Sequence, residues 1–241
     1  MAGTAALPNF AAGKVAADST VIFLDEAQSK CQLRDFGLTV PEGEVGTAEE
    51  AHKIAGRIGY PVVVKAVGNE FLHKSELGAV ALNLHSADEV AQAAASISES
   101  VAKSHGKVER FLVERMATGA IAELIIGIKR DDQFGPALVI GAGGILVELI
   151  ADSVSLLLPT DRAAVTKAVQ SLSAFKLIKG FRGRAAGDMD AIVNAIMSVA
   201  AFAESNRERL MELDINPLLV LAEGQGVVAA DALISFSSEE E

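Results

Sequence analysis

The fold is decided near the C-terminus by the stretch Glu212-Leu213-Asp214-Ile215-Asn216-Pro217-Leu218. Polar and apolar residues alternate along its first five positions, which predicts a strand with two carboxylates and an amide on one face. The chain then turns at Ala222–Gly226 and returns to Asp231, which predicts a β-hairpin. If the hairpin is centred on Glu223–Gly224, Asp231 lies directly across from Asn216, with Cβ atoms ~5 Å apart. Such oxygen ligands suit Mg²⁺, and a solvated hairpin end is the alternative reading of this stretch alone.

Composition limits the partners and the compartment. The 241 residues carry a formal net charge of -11, which argues against nucleic acid as the main partner. A single cysteine, Cys31, excludes an intrachain disulfide. The opening residues lack the basic and apolar segments of a signal peptide, and no uninterrupted apolar run is long enough to cross a membrane. We therefore expect a cytoplasmic protein with no membrane span.

The order of helical and extended patterns predicts two α+β lobes with largely antiparallel sheets. Residues 1–24 form an N-terminal extension, and residues 25–107 form a smaller lobe of order α-β-α-β-β-α. Residues 108–236 form a larger lobe with a hairpin turn at Lys129–Asp132 and a helix from Asp161 to about Phe175. Residues 237–241 are an acidic tail.

Two basic residues near the N-terminus are candidates for phosphate chemistry. Lys65 closes the apolar strand Pro61–Lys65, where its ammonium either serves as a point charge for phosphate or extends into water. His73 lies in a loop with Gly68 and Gly78 at its ends; such a loop can move as a lid, and a histidine within it could be a base, a ligand or a nucleophile that accepts a phosphoryl group. Most loop histidines have no such role, so an idle side chain is the alternative.

A second group of candidates lies in the connection between the lobes and in the larger lobe. Glu114 and Glu123 bracket a segment at Met116 that suits a purine and its ribose hydroxyls; solvated glutamates are the alternative. Gly143 and Gly144 allow the backbone to approach an anion, although glycines form turns equally well. Arg182 stands in a glycine-flanked basic segment that either binds an anion or is a solvated turn.

Taken together, six stretches resemble the ATP-grasp β subunit, or β-equivalent domain, of ADP-forming acetyl-CoA synthetases. These enzymes belong to the NDP-forming acyl-CoA synthetases, which are related to the succinyl-CoA synthetase β subunit. The resemblance covers residues 25–234, nearly the whole chain. The stretches are Glu26–Gly37, Pro61–Lys65, Leu72–Ser75, Gly141–Glu148, Gly180–Arg184 and Asp214–Leu218.

The resemblance implies an ATP-grasp fold whose two lobes sandwich Mg-ATP. By this resemblance Lys65 contacts the phosphates, and His73 carries a transient phosphoryl group. Glu114, Met116 and Glu123 flank the nucleoside, while Asn216 and Asp231, with Asp214 beside them, hold magnesium. Gly143, Gly144 and Glu148 receive the phosphohistidine segment of a partner, and Arg182 belongs to the nucleotide site.

The family also needs a CoA-binding domain and a CoA-ligase domain with its own phosphohistidine, and neither has a counterpart in this sequence. We therefore expect the chain to act with an α subunit that binds CoA and a small organic acid, or to be an excised domain. Two alternatives stay open: an ATP-grasp carboxylate–amine ligase, and a nucleotide-sensing regulatory module of a protein acetyltransferase-like system. The resemblance leaves open which acid is activated and whether ATP or GTP is used.

Overall fold

The computed structural model describes residues 21–68, 78–103, 106–131, 133–144 and 152–238. Within them the chain folds into two sheets with separate hydrophobic cores, and every strand pairing is antiparallel. The predicted α+β class with largely antiparallel sheets is confirmed.

The larger sheet is built mainly from the second half of the chain. Its strand order is β1-β11-β9-β6-β7-β8, and β10 pairs with the distal half of β9. The strands are β1 (Val21–Leu24), β6 (Ala122–Asp131), β7 (Gly135–Ala142), β8 (Ser153–Leu157), β9 (Leu210–Val220), β10 (Val227–Ala229) and β11 (Leu233–Ser237).

The smaller sheet has the order β2-β5-β3-β4. Two helices, α2 and α3, contact it and contribute to its core. The strands are β2 (Gly43–Gly46), β3 (Val62–Val67), β4 (Val80–Leu84) and β5 (Arg110–Arg115), and the helices are α2 (Ala48–Ile58) and α3 (Ala87–Lys103).

The larger sheet is covered by helices from both ends of the chain. They are α1 (Glu26–Asp35), α4 (Arg162–Ser171), the single turn α5 (Phe175–Ile178) and α6 (Met189–Ser205). Their apolar faces fill the larger core, in which Phe202 is fully buried and meets Phe36 edge to face.

Local sequence explains where helices begin. Asp25 caps α1, and Gln28 completes a capping box with it. Thr47 and Glu50 form the capping box expected for α2, which ends at Gly59 with φ of 86°. Helix starts are therefore the features that the sequence determines most directly.

The two sheets divide the chain differently from the predicted lobe boundary at residues 107 and 108. Strand β5 belongs to the smaller sheet, because it pairs with β2 and β3. Helix α1 packs on the larger core through Leu33. Strand β1 pairs with β11, so the end of the predicted extension is part of the larger sheet. These memberships depend on contacts between residues far apart in sequence.

Two local predictions were wrong. Lys129–Asp131 continue β6, and the turn comes later, because the Asp131 carboxylate accepts hydrogen bonds from the backbone of Gln133 and Phe134. The helix expected from Asp161 to Phe175 is broken at Leu172, whose extended backbone separates α4 from α5. In the part of the chain that the structure describes, no helix is both long and apolar enough to cross a lipid bilayer.

Candidate active site

The C-terminal hairpin has the register that the sequence predicted. Val227 pairs with Val220 and Ala229 with Leu218, and beyond the gap Leu233 pairs with Asp214. Both paired stretches share one register, which places Asp231, between them, across from Asn216. Asp231, in the link between β10 and β11, and Asn216 in β9 therefore lie at the same level of the sheet.

Strand β9 separates its polar and apolar side chains as expected. Leu213 and Ile215 are buried in the larger core, whereas Asp214 and Asn216 lie on the opposite face. Burial, together with the charges of Glu212 and Asp231, raises the pKa of Asp214 to about 7. Three acidic side chains, those of Glu212, Asp214 and Asp231, therefore lie close enough to influence one another electrostatically.

The donor set at this face fits a magnesium ion that is completed by other ligands. Among the described residues, no three His, Cys, Asp or Glu side chains converge to hold a metal by themselves. Mg²⁺ typically takes only one or two protein carboxylates and fills its remaining positions with water and phosphate oxygens. Asp231 and Asn216, with Asp214 beside them, are compatible with such a site.

Lys65 reaches this hairpin from the other sheet. Its Nζ donates to the backbone oxygen of Ala230 at 2.7 Å, directly before Asp231, and to Glu26. Burial alone lowers the pKa of Lys65, but the carboxylates of Glu26, Glu114 and Asp231 outweigh it and raise the pKa overall. Lys65 lies inside β3 and not at its end, where the sequence predicted it, because the strand continues to Val67. It meets the acidic hairpin, which is far away in sequence, at the junction of the two sheets.

Two residues of this junction were missed by the sequence analysis. Lys30 and Glu26 lie one turn apart on α1, and both are buried, at 3% exposure each. Lys30 Nζ donates to Glu26, to both carboxylate oxygens of Glu114 and to the Ala230 carbonyl at 2.6–2.8 Å. An i,i+4 ion pair is common on helix surfaces, so nothing in the local sequence indicates its burial.

Glu114 is not free to bind ribose hydroxyls, because its carboxylate is buried and paired with lysines. It is buried in β5, and its carboxylate accepts from Lys30 and lies 3.2 Å from Lys65 Nζ. The half-buried Met116 follows, and its N–H already donates to Pro61. The Met116 N–H is therefore not available to a purine.

Glu123 and the glycine segment lie together at one end of the larger sheet. Gly143 N–H donates to the carbonyl of Glu123 at 2.7 Å, so it is not available to an anion. A Cβ on Gly143 would lie 2.9 Å from the Glu123 backbone, which explains the glycine. Gly144 has φ of 76°, and a Cβ there would approach the exposed carboxylate of Glu123.

Arg182 lies in a loop whose neighbours are the hairpin turn, not the Lys65 junction. The Ala186 carbonyl accepts from Glu223 N–H, and the Arg182 guanidinium stacks on Phe181 at 5.1 Å. A cavity of about 470 Å³ beside this loop is lined by Lys179 but also by three acidic residues, Asp188, Asp190 and Glu223. That lining disfavours an anion.

Two residues that the sequence analysis singled out, His73 and Glu148, lie outside the described residues.

Two antiparallel lobes that bring a buried strand lysine against an acidic hairpin form the architecture of an ATP-grasp protein. The chain belongs to the ATP-grasp family, whose domain model matches residues 16–236.

Within the ATP-grasp family, the chain is similar to proteins of known activity. The beta subunit of acetate–CoA ligase (ADP-forming) II from Pyrococcus furiosus is 34% identical over 212 residues, which are 87% of this chain and 89% of that protein. Acetate–CoA ligase (ADP-forming) I from Archaeoglobus fulgidus is 36% identical over 199 residues, but this chain spans only 29% of its length.

Solved structures show the same likeness. PH1788 from Pyrococcus horikoshii has a TM-score of 0.84 at 32% identity and covers 90% of this chain and 92% of its own. A dinucleotide-forming acetyl-CoA synthetase from Ca. Korarchaeum cryptofilum has a TM-score of 0.74 at 32% identity, covering 88% of this chain and 91% of its own. That structure contains coenzyme A and Mg-AMPPCP, with a phosphohistidine segment pointing towards the nucleotide-binding site.

Proposed function

We propose that this chain is the nucleotide-binding β subunit of an ADP-forming acyl-CoA synthetase, which catalyses acid + CoA + ATP ⇌ acyl-CoA + ADP + phosphate. The observation that carries the proposal is the meeting of Lys65 with the Ala230–Asp231 backbone at the junction of the sheets. The chain is similar to beta subunits of acetate–CoA ligases along most of its own length and most of theirs, which supports this choice of reaction. The use of ATP and CoA suits the cytoplasm, where we place the protein.

In this proposal the two sheets hold the nucleotide between them. Lys65 contacts phosphate oxygens, Met116 and Glu123 lie along the nucleoside, and Gly144 borders the phosphates. Arg182, which stacks on Phe181 beside the hairpin turn, is left outside this site. Asn216 and Asp231, with Asp214, would hold Mg²⁺, which when bound neutralises phosphate charge. Glu114 does not contact the nucleotide in this proposal, because its carboxylate is paired with Lys30 and Lys65. It holds the Lys65 side chain in position.

His73 receives the phosphoryl group. A ring nitrogen without a proton attacks the γ-phosphorus of ATP; the N–P bond forms as the bond to the ADP oxygen breaks. The phosphoryl group then passes to a histidine of the α subunit, which binds CoA and the acid. Phosphoryl transfer needs positioning and charge neutralisation above all, and the lysine and hairpin supply both.

Incubation of the purified chain with magnesium and γ-labelled ATP tests this function. We expect acid-labile, base-stable label on the wild-type protein and none on His73→Ala. The matched control is His85→Ala, because His85 is an exposed histidine whose bonds among the described residues are local, to Asn83 and Glu89. Equal labelling of wild type and His73→Ala would remove the histidine from the mechanism. A wild type that binds Mg-ATP but takes up no label, even with an α subunit present, would favour the regulatory module.

A further inference from the structure

Four charged side chains are buried together where the two sheets meet. Glu26 and Lys30 come from α1, Lys65 from β3 and Glu114 from β5, and each is at most 6% exposed. Burial of a charge is costly unless it is paired. Two ammonium groups and two carboxylates balance within this group, which we name the junction cluster.

The two lysines of the junction cluster share the same three acceptors. Lys30 donates to Glu26, Glu114 and the Ala230 carbonyl. Lys65 donates to Glu26 and the same carbonyl, and its Nζ lies 3.2 Å from Glu114. Every acceptor that Lys65 contacts therefore keeps a second cation if Lys65 turns away.

A phosphate contact requires Lys65 to turn away from these acceptors, since its side chain is only 7% exposed. If Lys65 were the sole cation, its departure would leave the buried Glu114 carboxylate without a cation, which is strongly destabilising. We propose that Lys30 is a positioning residue that keeps Glu26, Glu114 and the Ala230 carbonyl paired while Lys65 exchanges them for phosphate oxygens.

The charges on Lys30 agree with this exchange. Burial and then the Lys65 ammonium lower the pKa of Lys30, while Glu26 and Glu114 oppose them. Movement of Lys65 towards phosphate removes one of the two causes that lower this pKa, so Lys30 holds its proton more firmly when it is needed. Lys30 also fixes the backbone beside Asp231, and thus links the cation of one sheet to the metal ligand of the other.

The inference rests on the proposed nucleotide site and is tested by separating stability from affinity. Urea unfolding and calorimetric titration with Mg-AMPPCP are measured for Lys30→Met, Glu26→Gln and the double variant. Lys30→Met leaves one ammonium for two carboxylates, so both stability and affinity should fall, the affinity by about tenfold or more. Arg34→Met removes an exposed cation from the same helix and should match wild type.

The double variant Lys30→Met/Glu26→Gln decides between a positioning role and a merely structural one. It restores charge balance, so we expect recovery of most of the lost stability. Its affinity should stay about tenfold weaker than that of Glu26→Gln, because Glu114 is left unpaired when Lys65 moves. Recovery of affinity together with stability would overturn the inference, as would wild-type affinity in Lys30→Met. A wild type that does not bind Mg-AMPPCP would instead overturn the proposed function.

Discussion

Asp214 makes the stability of the fold depend on pH. Its pKa is raised to about 7 by burial and by the charges of Glu212 and Asp231. The folded chain therefore binds a proton that the unfolded chain releases near its ordinary pKa of ~3.9. The stabilisation from this proton is full below ~pH 3.9 and is lost as the pH rises from there to about 7, by up to ~1.4 kcal/mol per unit.

Replacement of this carboxylate should flatten that dependence. We expect Asp214→Asn to lose the part of the slope between about pH 5 and about pH 7, and to be more stable than wild type at about pH 8. Urea unfolding with a chelator present, repeated across this pH range, measures the slope and the free energy of unfolding at about pH 8. Asp35→Asn, an exposed carboxylate at the end of α1, is the control and should keep the wild-type slope. An unchanged slope in Asp214→Asn would show that the raised pKa is wrong.

Asp231 should matter to nucleotide binding only when a metal is present. We expect Asp231→Asn to weaken Mg-nucleotide binding by about tenfold, since a carboxylate ligand contributes more than an amide to a divalent cation. Binding measured with a chelator should be no weaker in the variant than in wild type, because the substitution removes a negative charge. Glu223→Gln changes the same charge at the exposed turn of the hairpin and should have no effect. Equal losses with and without magnesium would count against a metal site here.

At the scale of elements, the glycine segment lies so close to β6 that position 143 should not accept a side chain. In Gly143→Ala, the new Cβ would lie 2.9 Å from the Glu123 backbone, so either β6 or the glycine segment must shift. We expect a loss of about 1–3 kcal/mol in the free energy of unfolding. Gly56→Ala is the matched control, because nothing lies within 4 Å of its Cβ in helix α2. That change should stabilise the chain by roughly 0.5–1 kcal/mol. Equal effects at the two positions would contradict the packing.

Elements whose structure depends on neighbouring residues could be predicted from the sequence. The capping box of α2 and the register of the C-terminal hairpin are examples, because a short turn fixes which residues face each other. The role of β5 could not be predicted, since its partners β2 and β3 are chosen by contacts far away in sequence. The burial of Lys30 and Glu114 was missed for the same reason. In a sequence, a single glutamate or an i,i+4 ion pair on a helix reads the same whether its side chains are exposed to water or buried.

At the scale of the whole molecule, two hydrophobic cores are linked by a polar junction. Lys65 and Glu114 belong to the smaller sheet, whereas Glu26, Lys30 and Ala230 lie on the larger side. A ligand held from both sides would make the lobes unfold together. The net charge of -11 opposes the binding of another anion, so the molecule needs a cation in addition to its lysines.

A nucleotide should therefore stabilise this acidic chain only together with a divalent cation. At a free concentration of Mg-AMPPCP about a hundred times its dissociation constant, we expect about 2.7 kcal/mol of added stability and one cooperative unfolding transition. The same nucleotide with a chelator should add far less, because repulsion from the carboxylates around Asp214 is then not offset. Magnesium chloride alone controls for weak binding of the ion to the acidic surface. Equal stabilisation by free and magnesium-bound nucleotide would mean that the lysines suffice and that the hairpin carboxylates hold no metal.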